Sequence, residues 1–209
     1  MRGVLLTILT MFVIGIFASA AFIWIGAYDV SATRPHWPLS YWVMETVRVR
    51  SVKARATGIT PPPDMTSKAN VLAGTEHFAA HCASCHGAPG VPRGDIAAGL
   101  YPRPADLRDS ARRYTPGELF WIIKNGIKMS GMPSWSDHTD DELWATVAFI
   151  ERLPTMSEED YRQLVMASLM HGGGRHNHGG MDDTKSTSAP MDHSSMSGMA
   201  PAPSDGRQQ

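Results

Sequence analysis

The fold is decided by the stretch His81-Cys82-Ala83-Ser84-Cys85-His86-Gly87, which holds both cysteines of the 209-residue chain. The two thiols lie three residues apart, and a histidine directly follows the second. Such a pair occurs in thioredoxin-like redox motifs, in zinc sites and in C-x-x-C-H sites of covalent haem attachment. A redox motif needs a βαβ pattern nearby, and a zinc site needs further ligands at set spacing. The flanking residues do not alternate like strands, and no third cysteine exists.

Haem attachment, in contrast, needs only the residues that are present. Thiols at positions i and i+3 lie on one face of a helical turn, from which Cys82 and Cys85 can add to the two vinyl groups. His86 then falls beneath the iron as its proximal ligand. The motif therefore predicts one covalent c-type haem.

Residues 1–28 form a predicted transmembrane anchor. No charged residue occurs from position 3 to position 28, a length of roughly 39 Å as a helix, which exceeds a hydrocarbon core of about 30 Å. The alternative is a cleaved signal peptide with the site Ala18-Ser19-Ala20. The anchor is favoured because the apolar run continues beyond that site. Arg2 indicates the cytoplasmic end, so the rest of the chain is exported.

Residues 29–65 are interpreted as a juxtamembrane connector. A helix is expected from about Ser40 to Thr57, although Val47-Arg48-Val49-Arg50 alternates like a strand. The basic residues of this segment suit either anionic lipid headgroups or plain solvation. Pro61-Pro62-Pro63 is expected to be a stiff spacer that holds the next domain away from the membrane.

Residues 66–155 are expected to form the globular domain. Its first helix carries an apolar face, and Gly74 within it suggests that another backbone approaches closely there. Residues 87–114 are rich in glycine and proline and read mostly as a loop, which is long enough to wrap a haem. Capping boxes starting at Thr115 and Thr139 predict two further helices.

After this domain, residues 156–171 predict an amphipathic helix and residues 172–209 a disordered tail. The tail is rich in imidazole and thioether donors, which suit copper, although an inert extension fits the composition equally well. The candidate copper ligands are His176, His178, Met181, Met191, His193, Met196 and Met199.

The second axial ligand of the iron has several candidates: His77, His81, His138, Met129 and Met132. Met132 is the best placed, because the proline after it blocks helix continuation and the glycine before it lets the backbone turn. Met129 is its nearest rival. Histidine–methionine ligation leaves no open coordination position, so such an iron passes electrons and binds no substrate.

Residues 66–155 resemble a monohaem class I cytochrome c, through Cys82-Ala83-Ser84-Cys85-His86 and Gly131-Met132-Pro133. The resemblance implies an all-α fold, with three main helices and long loops around one haem. It also implies that the carbonyl of Pro104 orients His86 and that Leu107 and Trp135 line the haem pocket. In this family the first and last helices cross at a glycine and an aromatic residue, which here implies Gly74 and Phe78 against Trp144 or Ala148.

The predicted function is that of an electron carrier, not an enzyme, on the periplasmic side of a bacterial cytoplasmic membrane. Alternatives are a haem enzyme or gas sensor with a labile methionine ligand, and a copper-handling cytochrome. The net charge of −1 does not suggest a nucleic-acid partner. Residues 66–155 contain nine Lys or Arg and ten Asp or Glu, so long-range steering of a soluble partner is weak. A single-pass anchor can instead hold the domain beside a respiratory or dehydrogenase complex. No small-molecule substrate is expected.

Overall fold

The computed structural model describes residues 1–172, and within them it contains helices and no β-strand. The predicted all-α fold class is therefore confirmed. The α-helices are α1 Arg2–Trp24, α2 Pro38–Arg55, α3 Lys68–His77, α4 Ala83–His86, α5 Asp95–Gly99, α6 Leu107–Arg113, α7 Pro116–Asn125, α8 Asp140–Ile150 and α9 Glu158–Gly172. A π-helical turn, Phe78–Cys82, joins α3 to α4, and a 3₁₀ turn, Leu153–Thr155, follows α8.

Helix α1 is long and apolar enough to cross a membrane. It has 23 residues, a mean hydropathy of 2.4 and no buried residue. The helix ends four residues before Tyr28, close to Gly26, whose φ of 64° lies in the left-handed region. The prediction of an N-terminal apolar membrane helix thus agrees with the structure in length and composition.

Helix α2 packs against the globular domain. It begins two residues before the expected start at Ser40, and its strand-like alternation does not produce a strand. Val52 is fully buried in the domain core. Arg48 donates a hydrogen bond to the hydroxyl of Tyr114 at 2.8 Å and forms a salt bridge of 2.6 Å with Glu45. Arg48 is therefore engaged by the protein, and is neither fully solvated nor available to lipid headgroups.

The segment after α2 also lies on the domain. A Cβ atom added to Gly117 in α7 would overlap the carbonyl of Ile59, and Met65 is buried in the core. Both flanks of Pro61-Pro62-Pro63 thus contact the domain, and the role of this triplet in holding the domain away from the membrane stays a prediction. The domain boundary at residue 66 remains a prediction.

The core is built where α3 crosses α8. A Cβ added to Gly74 would overlap the backbone carbonyl of Ala145, so the close approach expected at this glycine is present. Phe78 is fully buried and contacts Phe149, with ring centroids 4.7 Å apart. Gly74 therefore meets Ala145 and Phe78 meets Phe149, whereas the expected contact with Trp144 or Ala148 stays a prediction. Trp144 stacks on Phe120 of α7 at 4.3 Å.

Local sequence signals place the other helices. Both predicted capping boxes form, at Thr115 with Glu118 and at Thr139 with Glu142. The expected loop at 87–114 contains two short helices, α5 and α6, so it is more ordered than its glycine and proline content indicated. Helix α9 packs against α3. Its Tyr161 is buried, and the ring centroids of Tyr161 and Phe78 are 6.5 Å apart.

We expect Gly74→Ala to destabilise the protein by about 1–3 kcal/mol, because the added methyl group collides with a backbone carbonyl that cannot rotate away. Denaturant unfolding of the full-length holoprotein measures this change. The matched control is Gly99→Ala in α5, where an added Cβ meets no atom within 4 Å. That substitution should be neutral or stabilise by up to ~1 kcal/mol, because alanine favours a helix. Equal effects of the two substitutions would contradict the close crossing.

Candidate haem site

The cysteine motif lies at the end of a continuous helical run. The π turn Phe78–Cys82 follows α3 and ends with the first cysteine. Helix α4 carries Cys85 and His86, and it ends at Gly87, whose φ is 72°. Both cysteines are free thiols; Cys82 is buried and Cys85 half-buried. The structure therefore brings the three residues of the predicted attachment site together on successive helical turns.

The environment of Cys82 disfavours a redox role. Burial, followed by the charge of Cys85, raises the pKa of the Cys82 thiol to about 12. Redox-active and metal-ligating cysteines act as thiolates, and their pKa is lowered by positive surroundings. Cys82 is therefore a protonated thiol at neutral pH. The reactive cysteine of a disulfide oxidoreductase, or a cysteine that binds zinc, would instead act as a thiolate.

The imidazole of His86 is oriented by a backbone carbonyl. Its Nδ1 lies 2.8 Å from the carbonyl oxygen of Ala105, and because a carbonyl only accepts, Nδ1 must carry the hydrogen. Burial is the main cause that lowers the pKa of His86, so the ring is neutral and its Nε2 keeps a lone pair. The resemblance implied the carbonyl of Pro104. The observed partner is one residue later, so that assignment was wrong by one position.

A cavity of about 360 Å³ borders His86. It is lined by residues 86–93, residues 106–108, Leu153 and Glu158. The loop on one side is closed by paired hydrogen bonds between Ala88 and Val91, at 3.0 and 2.9 Å. The loop after the cysteine motif thus turns back beside the imidazole, on the side that also holds the predicted pocket residue Leu107.

The two candidate methionines differ in exposure. Met129 is 78% exposed and has a φ of 58°, in the left-handed region. Met132 is half-buried and packs against the core, and its amide donates to the hydroxyl of Ser130 at 3.2 Å. Next to it, a Cβ added to Gly131 would lie 2.7 Å from the side-chain end of Leu100, which would have to move. The loop therefore directs Met132 to the protein and Met129 to solvent.

The three candidate histidines gather into one group. The ring centroid of His77 lies 4.7 Å from that of His81 and 4.8 Å from that of His138. The ring centroids of His81 and His138 are 5.8 Å apart. Trp135, expected in the haem pocket, contacts all three rings at 5.1–5.7 Å. The spacing of His77 and His81, four residues apart on a helix, was a visible signal for this group. Nothing in the sequence indicated that His138 joins them.

The predicted copper ligands of the tail, positions 176–199, lie outside the described residues. The structure therefore leaves that prediction as it stood.

Comparison with known protein families gives a match to part of the chain. Residues 69–150 match the family model described as "Cytochrome C oxidase, cbb3-type, subunit III". No curated protein matches the chain. The matched segment falls within the predicted domain 66–155 and contains the cysteine motif, Ala105 and Met132. It also spans the crossing of α3 and α8 that forms the core.

The cysteine motif and the oriented imidazole agree with this family match, and residues 69–150 of the chain are a c-type cytochrome domain.

Proposed function

We propose that this protein is an electron-transfer cytochrome that holds one haem covalently through Cys82 and Cys85, with His86 as proximal and Met132 as distal ligand. The observation that carries the proposal is the hydrogen bond from His86 Nδ1 to the carbonyl of Ala105. His86 and Cys85 lie in α4, directly after the π turn that ends at Cys82. The hydrogen bond leaves Nε2 as the nitrogen with a lone pair, which is the donor that a haem iron requires.

The chain's own residues fit a haem. The Ala105 carbonyl selects the imidazole tautomer, limits rotation of the ring and increases its basicity as a ligand. Pro104 and Leu107 lie on the segment that flanks this carbonyl, and we assign both to the pocket wall. Trp135 packs partly against the core and partly on the histidine group, so its place in the pocket rests on the family resemblance alone.

The proposed ligand pair favours electron transfer over catalysis. When bound, the haem supplies a one-electron couple between ferric and ferrous iron. Met132 is the methionine that the protein holds inward, whereas Met129 projects into solvent. The thioether of Met132, held by the core, would serve as the second ligand of the iron, so oxygen or a substrate would bind only by displacing it.

We place the cytochrome domain on the periplasmic face of a bacterial cytoplasmic membrane. Helix α1 has the length and hydropathy of a single membrane span, and Arg2 at its start follows the rule for a cytoplasmic end. The matched family description names a subunit of a cbb3-type oxidase. A membrane-bound respiratory or dehydrogenase complex is accordingly the proposed redox partner, since an anchor keeps both proteins in the same plane.

Covalent attachment predicts a specific loss when the thiols are removed. The full-length protein, expressed with haem-attachment machinery, should retain haem on a denaturing gel and give a pyridine haemochrome spectrum of two thioether bonds. Cys82→Ser or Cys85→Ser should leave a spectrum of one thioether, and the double substitution should abolish covalent haem. The absence of covalent haem in the unsubstituted protein would refute the proposed function.

Removal of the distal ligand predicts a change in ligand binding. Met132→Ala should open the iron, lower the reduction potential and allow rapid carbon monoxide binding to the ferrous protein. Met129→Ala is the matched control, three residues away on the same loop, and should leave both properties unchanged. Stopped-flow carbon monoxide binding and a redox titration measure the two effects. Rapid carbon monoxide binding by the unsubstituted protein would instead indicate a haem enzyme or sensor with a labile methionine.

A further inference from the structure

Three histidines from two separate parts of the chain meet beside the cysteine motif. His77 ends α3, His81 lies in the π turn that follows, and His138 lies on the loop before α8. Each offers one ring nitrogen, and these three atoms all lie within 4.8 Å of one another. The π turn contributes to this arrangement, because it replaces the α-helical geometry between His77 and His81, and such turns often occur at functional sites.

We propose that His77, His81 and His138 form a binding site for one divalent transition-metal ion, Zn²⁺ or Cu²⁺, distinct from the haem. The proposed haem ligands do not belong to the group, so this site does not depend on the haem assignment. The sequence suggested these histidines only as rival ligands of the iron.

The three imidazoles are suitable ligands for such an ion. Imidazole is a preferred ligand of zinc and copper, and three histidines with one open position form a common tetrahedral arrangement. Metal–nitrogen bonds of about 2.0–2.1 Å place tetrahedral nitrogens about 3.3 Å apart. Nitrogens that now lie within 4.8 Å must therefore approach by up to about 1.5 Å. His81 is exposed, so rotation of its side chain can supply this movement.

Two neighbouring carboxylates, those of Asp137 and Glu142, favour metal binding by the histidine group. Nδ1 of His138 lies 3.1 Å from a carboxylate oxygen of Asp137. A carboxylate can only accept, so Nδ1 donates and Nε2 is left as the ligand nitrogen, an arrangement typical of metal-bound histidines. The carboxylate of Glu142, which interacts electrostatically with His77, adds negative charge near the site and accepts a hydrogen bond from the backbone amide of Thr139.

His77 contributes a second, independent observation. Its Nε2 is buried and has no hydrogen-bond partner among residues 1–172. A buried polar atom without a partner costs about 1–3 kcal/mol, and a bond to a metal would remove that cost.

The alternative is a purely structural cluster in which the imidazoles pack on Trp135. The rings do contact this indole at 5.1–5.7 Å, and T-shaped pairs of neutral rings stabilise a fold modestly. Packing alone, however, leaves the buried nitrogen of His77 without a partner. A structural cluster also predicts no loss of metal affinity on substitution, and this difference can be measured.

The test uses the full-length holoprotein in detergent, purified without a polyhistidine tag. The background variant carries His176→Asn, His178→Asn and His193→Asn, which removes histidine donors of the tail. Zn²⁺ is titrated against a chromophoric chelator, and we expect one equivalent to bind. His81→Gln and His138→Gln, each in this background, should weaken binding at least about 100-fold, because loss of a direct ligand exceeds the 10–100-fold effect of an outer one.

The matched control is His36→Gln in the same background, a histidine that contacts Tyr28 and Tyr101 and lies outside the group. It should leave Zn²⁺ affinity unchanged. In a parallel arm, Cu²⁺ bound at one equivalent should show electron paramagnetic resonance couplings to imidazole nitrogens that His81→Gln removes. Either ion, bound in this histidine-dependent way, supports the site.

The haem spectrum serves as an internal check on each variant, since it reports folding and iron ligation. It should be the same in the background, His81→Gln and His138→Gln proteins. Zn²⁺ and Cu²⁺ affinities that do not change in His81→Gln and His138→Gln, or the absence of binding by the background protein, would overturn the proposal. So would a changed iron spectrum in His81→Gln, because it would make this histidine an iron ligand.

Discussion

The contact on which the structure depends is the crossing of α3 and α8, where Gly74 presents no side chain to the carbonyl of Ala145. Any larger residue would hold the two helices apart. Close approach lets Phe78 and Phe149 become fully buried against each other, which removes two large apolar surfaces from water. Helix α3, which leads into the cysteine motif, therefore packs on the core before the motif begins. This packing determines where Cys82 lies.

The π turn between α3 and α4 then divides neighbouring residues between two environments. Cys82 is buried next to the core, whereas His81, one position earlier, is exposed beside His77 and His138. One short turn thus belongs to both the proposed haem-attachment motif and the histidine group. The carbonyl of Ala105, from a distant loop, orients His86 from the other side. The proposed haem site consequently relies on contacts between segments that are far apart in sequence.

The connector contributes to the domain more than its sequence indicated. Val52 of α2 belongs to the core, and Arg48 is shared between Glu45 and the hydroxyl of Tyr114. The ion pair is only half-buried, so its net contribution to stability is modest, and the apolar burial of Val52 matters more. Helix α2 is accordingly a structural part of the cytochrome unit and does not behave as a solvated tether.

The sequence by itself determined the local features: the cysteine motif, the apolar first helix, and the capping boxes at Thr115 and Thr139. Each depends on residues within one or two turns of one another, so spacing alone predicts it. Only the tertiary structure decided which carbonyl meets His86, that α2 joins the core, and that His138 lies beside His77. These pairings join segments 19 to 66 residues apart. These pairings depend on how the helices pack, and no short-range pattern in the sequence indicates them.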